Sequence, residues 1–108
     1  MTRLPPALAA SATPAVLELL DAPPARVLEL GFAGIHAVPL RLAGYEVVVV
    51  EPDPGHLERA RARAGEALAA APDVPFDAVV APDGVDVPPA AIVIRVGHDG
   101  SVWRSTST

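Results

Sequence analysis

Two glutamates and two glycines in the stretch "VLELGFAGIHAVPLRLAGYEVVVVEPDP", Val27 to Pro54, have the types and spacing of a ligand site. Glu29 lies two residues before Gly31, Gly34 follows three later, and Glu51 closes a second apolar run. Glycines at a strand-to-helix turn permit backbone conformations that other residues resist. The helix that follows starts with free N–H groups. A carboxylate ending the neighbouring strand is placed to accept hydrogen bonds from both hydroxyls of a ribose. Glu29 either orders the turn or accepts a bond from a ligand ammonium group. Together these residues suit a nucleoside-type ligand.

The elements that must position them follow from the apolar pattern. "ARVLELG", "YEVVVVE" and "FDAVVAP" read as strands, the second β-branched and apolar on both faces, as in a covered parallel sheet. "AAIVIRVGHDGSVWR" reads as two strands joined at Asp99-Gly100, a strong hairpin signal. Helices fill the gaps. One covers "TPAVLELL", with Thr13 as its cap and Pro14 at its first position, and ends at Pro23 and Pro24. One runs from about Ile35 to Ala43 and ends at Gly44; it tolerates Pro39 only if that residue lies in its first turn, so "GFAG" must be loop. The longest covers "PGHLERARARAGEALAAA", capped by Asp53, with Leu57, Ala60, Ala64 and Leu68 as its buried stripe and Glu58–Arg61 and Arg63–Glu66 at pairing distance. Residues 1–13, rich in Pro and Ala, are expected to be loosely held.

Strands alternating with helices imply right-handed parallel crossovers. The expected fold class is α/β, a Rossmann-like three-layer sandwich with a mainly parallel sheet and a C-terminal antiparallel hairpin, forming one domain over residues 1–108. The chain has no cysteine, which excludes disulfides and thiolate metal sites. Its net charge is -5, all eight basic residues are arginine, and none cluster as a nucleic-acid patch would require. No apolar run is long enough to span a bilayer. "MTRLPPALAASA" has a signal-like apolar part, short and broken by Pro5 and Pro6, so the expected location is the cytoplasm.

On these residues the chain resembles the first half of a class I S-adenosylmethionine-dependent methyltransferase. "RVLELGFAGIHAVPLRLAGYEVVVVEPDPGHLERARARA" is similar to that family's acid-x-Gly turn, helix and acid-ended strand, and "FDAVVAPDG" to its fourth strand; residues 25–84 are covered. The resemblance implies S-adenosylmethionine as a cofactor held by Glu29, Gly31, Phe32, Gly34, Glu51 and Pro52, with Glu51 on the ribose. The departures bear on activity. The family's second and third glycines fall on Ala33 and Ile35, and the strand with the acid that holds the adenine amino group is missing. No asparagine exists to grip an amine acceptor, and the elements that shape an acceptor pocket are reduced to a hairpin.

The expectation is therefore a methyltransferase-like binding protein, weak or inactive alone. A degenerate module acting through a protein partner is the alternative, and an NAD-binding domain is disfavoured because "GFAGIH" lacks G-x-G-x-x-G spacing. His36 is expected to be an exposed first-turn residue, although it could instead lie over the ligand's sulfonium side. His56 and His98 are expected at the surface, and Trp103 in the core or an interface. The uncovered hairpin around Ile92, Ile94, Val102 and Trp103 suggests a homodimer or a larger partner, unless helix 14–20 seals the same surface.

Overall fold

A computed structural model of the chain describes residues 5–106. In chain order the elements are α1 (Pro6–Ser11), α2 (Thr13–Leu19), β1 (Arg26–Leu30), α3 (Ala37–Leu42), β2 (Glu46–Val50), α4 (Pro54–Ala64), β3 (Phe76–Pro82), β4 (Ala90–Val96) and β5 (Val102–Thr106). They build an α/β fold around one sheet of order β2-β1-β3-β4-β5. The first four strands pair in parallel and β5 returns antiparallel to β4. All five strands and the Asp99-Gly100 hairpin are where the sequence places them.

The central strands bury both faces, which the runs of valine, leucine and isoleucine permit. Val27, Leu28, Val79, Val80 and Ile94 are fully buried, each worth roughly 1.5–3 kcal/mol relative to exposure. On one face, Val27, Val47, Val49, Ala78, Val80, Ile92 and Ile94 form a cluster with residues of all four helices: Ala9, Val16, Ala37, Leu40 and Ala60. On the other face, Leu28, Leu30, Val50, Val79 and Ala81 are closed by Leu68, Val85 and Val87, which come from loops. Among the described residues no helix stands on that second face, where a doubly wound sheet would have one.

Three local expectations are corrected. Residues 6–11 are not loosely held: α1 starts on Pro6, a proline-compatible position, and buries Ala9 in the core; residues 1–4 lie outside the described residues. The longest helix stops at Ala64 rather than running on, because Gly65 turns the chain at φ +86°. The chain then lies along the free edge of β2, where Leu68 bridges Val50 in parallel and exchanges backbone hydrogen bonds with Val49 and Glu51. Leu68 thus belongs to the second face, not to the stripe of α4. Finally, Thr13 does not cap α2, since the N-cap is Ala12 and makes no side-chain bond.

The cap of α4 is as expected: Asp53 accepts the Gly55 N–H at 2.8 Å and Pro54 opens the helix. Pro39 is the third residue of α3, within its first turn, and Gly44 leaves that helix at φ +105°. The expected Glu58–Arg61 and Arg63–Glu66 pairs do not form. Arginines donate to backbone carbonyls instead: Arg61 to Ala67, Arg63 to Ala33, and Arg41 to Ala64 at the end of α4 and Val47 of β2. Among the described residues no helix is long and apolar enough to cross a membrane.

Candidate functional site

The loop 31–36 joins the carboxyl end of β1 to α3, on the side of the sheet where ligands of open parallel sheets bind. Its shape is set by three consecutive demands on the backbone. Gly31 (φ +83°) donates its N–H to Val50 O at 3.0 Å, tying the loop to the end of β2. Ala33 sits at φ +52°, a left-handed conformation costing a non-glycine residue roughly 1–2 kcal/mol. Gly34 (φ +78°) presses on α4, and a Cβ there would meet Ala60 O at 3.2 Å and Ala64 Cβ at 3.3 Å.

The two carboxylates explain why the loop holds this shape. Both are fully buried. Glu51 accepts the Ala33 N–H through Oε1 and the Asp53 N–H through Oε2, each at 3.1 Å. Glu29 accepts the His36 N–H at 2.5 Å and a further backbone bond from Gly34. One acid therefore braces the strained middle of the loop and the other its far end. Burial raises the Glu29 carboxyl from 4.5 to about 7, against the backbone bonds from His36 and Gly34 and the Arg41 charge, which lower it. Glu29 Oε1 and His36 Nε2 are buried with no protein partner among the described residues.

His36 is the largest departure from the sequence reading. It is fully buried rather than exposed, with Nδ1 2.7 Å from Thr13 Oγ1 and its ring edge-on to Phe32, centroids 4.7 Å apart. Burial lowers its pKa from 6.5 to about 4, so it is neutral at pH 7. Thr13, read as a cap, is instead the partner of the Nδ1 side of this histidine, across 23 residues of chain. Phe32 is packed in the core at 3 % exposure, and Pro52 is exposed. The structure thus brings Glu29, Gly31, Phe32, Gly34 and Glu51 to one loop, and leaves Pro52 at its rim.

Above the loop is a cleft of about 280 Å³, lined by Gly31, Phe32, Ala33 and Ile35, by Pro5, Pro6 and Ala9 of the α1 segment, and by His56, Arg59 and Arg63 of α4. The sequence reading missed these three basic residues. Their spacing, three and then four residues apart, places them on one helix face, but alternation with Ala in "RARARA" disguises that face as solvated surface. His98 is exposed, as expected, whereas His56 is half-buried against the cleft rather than a plain surface residue. Trp103 is 39 % exposed. Helix α2 lies against β5, where Arg104 Nη1 reaches Leu19 O at 2.9 Å and Asp21 Oδ1 at 3.0 Å.

No family model and no curated protein matches the chain. The crystal structure of a functionally unknown protein from Deinococcus radiodurans R1 is similar, with a TM-score of 0.57 and 25% sequence identity over 79% of this chain and 50% of that one. This chain thus spans about half the length of that protein, and the likeness supports the α/β fold.

Proposed function

We propose that the chain is a methyltransferase-like, S-adenosylmethionine-binding domain of Rossmann-like type that binds its cofactor weakly and has no methyl-transfer activity alone. The observation that carries this reading is the loop 31–36, seated over the carboxyl ends of two parallel strands and locked to the strand-end acid Glu51. Two further observations support it. Ala33 keeps a left-handed conformation at the position of the family's second glycine. Leu68 pairs with β2 on the edge where the family's third strand would run, but alanines follow it in place of the acid that holds adenine.

The fit to this cofactor is partial. Glu51 stands at the strand end where a ribose acceptor is expected, yet the carboxylate is fully buried and bonded to the Ala33 and Asp53 amides. Reaching a hydroxyl requires it to yield the Ala33 or Asp53 amide. A charge-assisted bond of this kind contributes about 1.5–3 kcal/mol, which lowers affinity roughly 10- to 100-fold. Millimolar dissociation is the consequence. Bound cofactor would supply an activated methyl group; transfer still needs an acceptor held against it, and the cleft beside the loop is small and basic.

A second reading has its own observation. Both acids are spent on their own backbone, as expected of a degenerate module that kept the loop and lost the ligand, acting through a partner at the free edge of β5. Thermal melts with S-adenosylhomocysteine and NAD distinguish the two. A rise in Tm with millimolar S-adenosylhomocysteine and none with NAD supports the cofactor reading. No shift with either leaves the degenerate module, cytoplasmic and partner-dependent, and removes the cofactor.

A further inference from the structure

We propose that the cleft between the loop 31–36 and α4 is an anion site for the phosphoryl group of a small molecule, held by Arg59, Arg63 and His56. This goes beyond the cofactor reading and does not depend on it. The chain is acidic overall, at -5, yet among the described residues no carboxylate lines this cleft. Its wall of α4 presents two of the eight arginines and one of the three histidines.

The partners of the two arginines leave their charge unneutralised. Arg63 Nη1 donates to Ala33 O at 3.0 Å, which fixes the guanidinium over the loop without neutralising it. Among the described residues Arg59 forms no ion pair, and its one hydrogen-bond contact is with His56 Nδ1 at 3.5 Å. His56 Nε2 stands 3.9 Å from Asp53 Oδ2 at the start of the helix. The first amides of α4 are not the donors, because those of Gly55, His56 and Leu57 all bond to Asp53. The site is therefore made of side chains, with two guanidiniums whose planar forks match phosphate oxygens.

The other walls set the size. Pro5, Pro6 and Ala9 add apolar surface to the lining. About 280 Å³ admits a phosphate or pyrophosphate group with a short organic substituent, not a polynucleotide backbone.

The test uses the intact chain without any adenosyl cofactor. Inorganic pyrophosphate is titrated by calorimetry and by amide chemical shifts at low and moderate salt, with citrate as the carboxylate control. Arg59 is exposed, so Arg59→Glu is expected to fold as the parent does, which far-UV circular dichroism checks. The expected result is sub-millimolar pyrophosphate binding that weakens with salt, is at least tenfold tighter than citrate, and falls at least tenfold in Arg59→Glu, with shifts at residues 31–35 and 56–63. Absence of binding, or binding indifferent to Arg59, overturns the site. Citrate binding as tight as pyrophosphate overturns the phosphoryl assignment. None of these outcomes bears on S-adenosylhomocysteine binding, which is measured separately.

Discussion

Replacing Glu29 by glutamine should reverse sign in its effect on stability across the neutral pH range. The side chain is fully buried and accepts backbone bonds from Gly34 and His36. Its carboxyl ionises at about 7 in the folded protein and at 4.5 when unfolded, chiefly because burial disfavours the anion. Below pH 4.5 both states hold the proton. As pH rises, the unfolded chain loses it first, so folding becomes less favourable until about pH 7, where both states are ionised. At about 1.4 kcal/mol per pH unit, the loss is ~3 kcal/mol, a large share of the 5–15 kcal/mol typical of a domain.

Wild-type stability alone would hide this. His36 ionises at about 4 folded and 6.5 unfolded, so its contribution is complete above pH 6.5 and is lost as pH falls through 4. The two windows overlap and oppose one another. The difference between Glu29→Gln and wild type removes the histidine contribution and every other shared group. The amide keeps an acceptor for the His36 N–H but introduces donors, a pH-independent cost of roughly 1–2 kcal/mol. Urea unfolding followed by far-UV circular dichroism at pH 4.5, 6 and 8 should therefore find the variant about 1–2 kcal/mol less stable at the acid end and more stable at pH 8, with unchanged m values. A difference that stays constant over this range would refute the buried, backbone-bonded carboxyl.

Three further substitutions probe the loop. Glu51→Ala strands the amides of Ala33 and Asp53 and should cost about 3 kcal/mol in urea melts; a cost near zero would mean that the brace does not exist. Ala33→Gly relieves the φ of +52° and should raise stability by up to ~1 kcal/mol, or a few degrees in Tm; a clear loss would contradict the left-handed conformation. Gly34→Ala meets both a positive φ and the backbone of α4, so roughly 2–3 kcal/mol of destabilisation is expected, whereas a neutral result would place the loop away from Ala60.

Much of this architecture is legible in residue types. Period-two and two-sided apolar runs mark the strands, Asp53-Pro54 marks the start of α4, and Asp99-Gly100 marks the hairpin, because each rests on local backbone chemistry. The failures are of another kind. Gly65 looks like an interior residue of a long alanine-rich helix, yet it ends one, because burying Leu68 on the second face and pairing it with β2 outweighs helix propensity. His36 and Thr13 are each ordinary in their own segments; that they meet is a fact of tertiary packing. The acids at positions 29 and 51 are found by sequence, but not their direction. Whether a strand-end carboxylate faces outward to a ligand or inward to its own loop depends on amides eighteen or seven residues away.

The central claim, a weak adenosyl site over a braced glycine loop, is tested most directly by titrating S-adenosylhomocysteine into the isotopically labelled wild-type chain. Amide shifts confined to residues 31–36 and 51–53, saturating at millimolar concentration and unmatched by NAD, are the result expected. Unmoved amides in both segments at tens of millimolar ligand would contradict the claim.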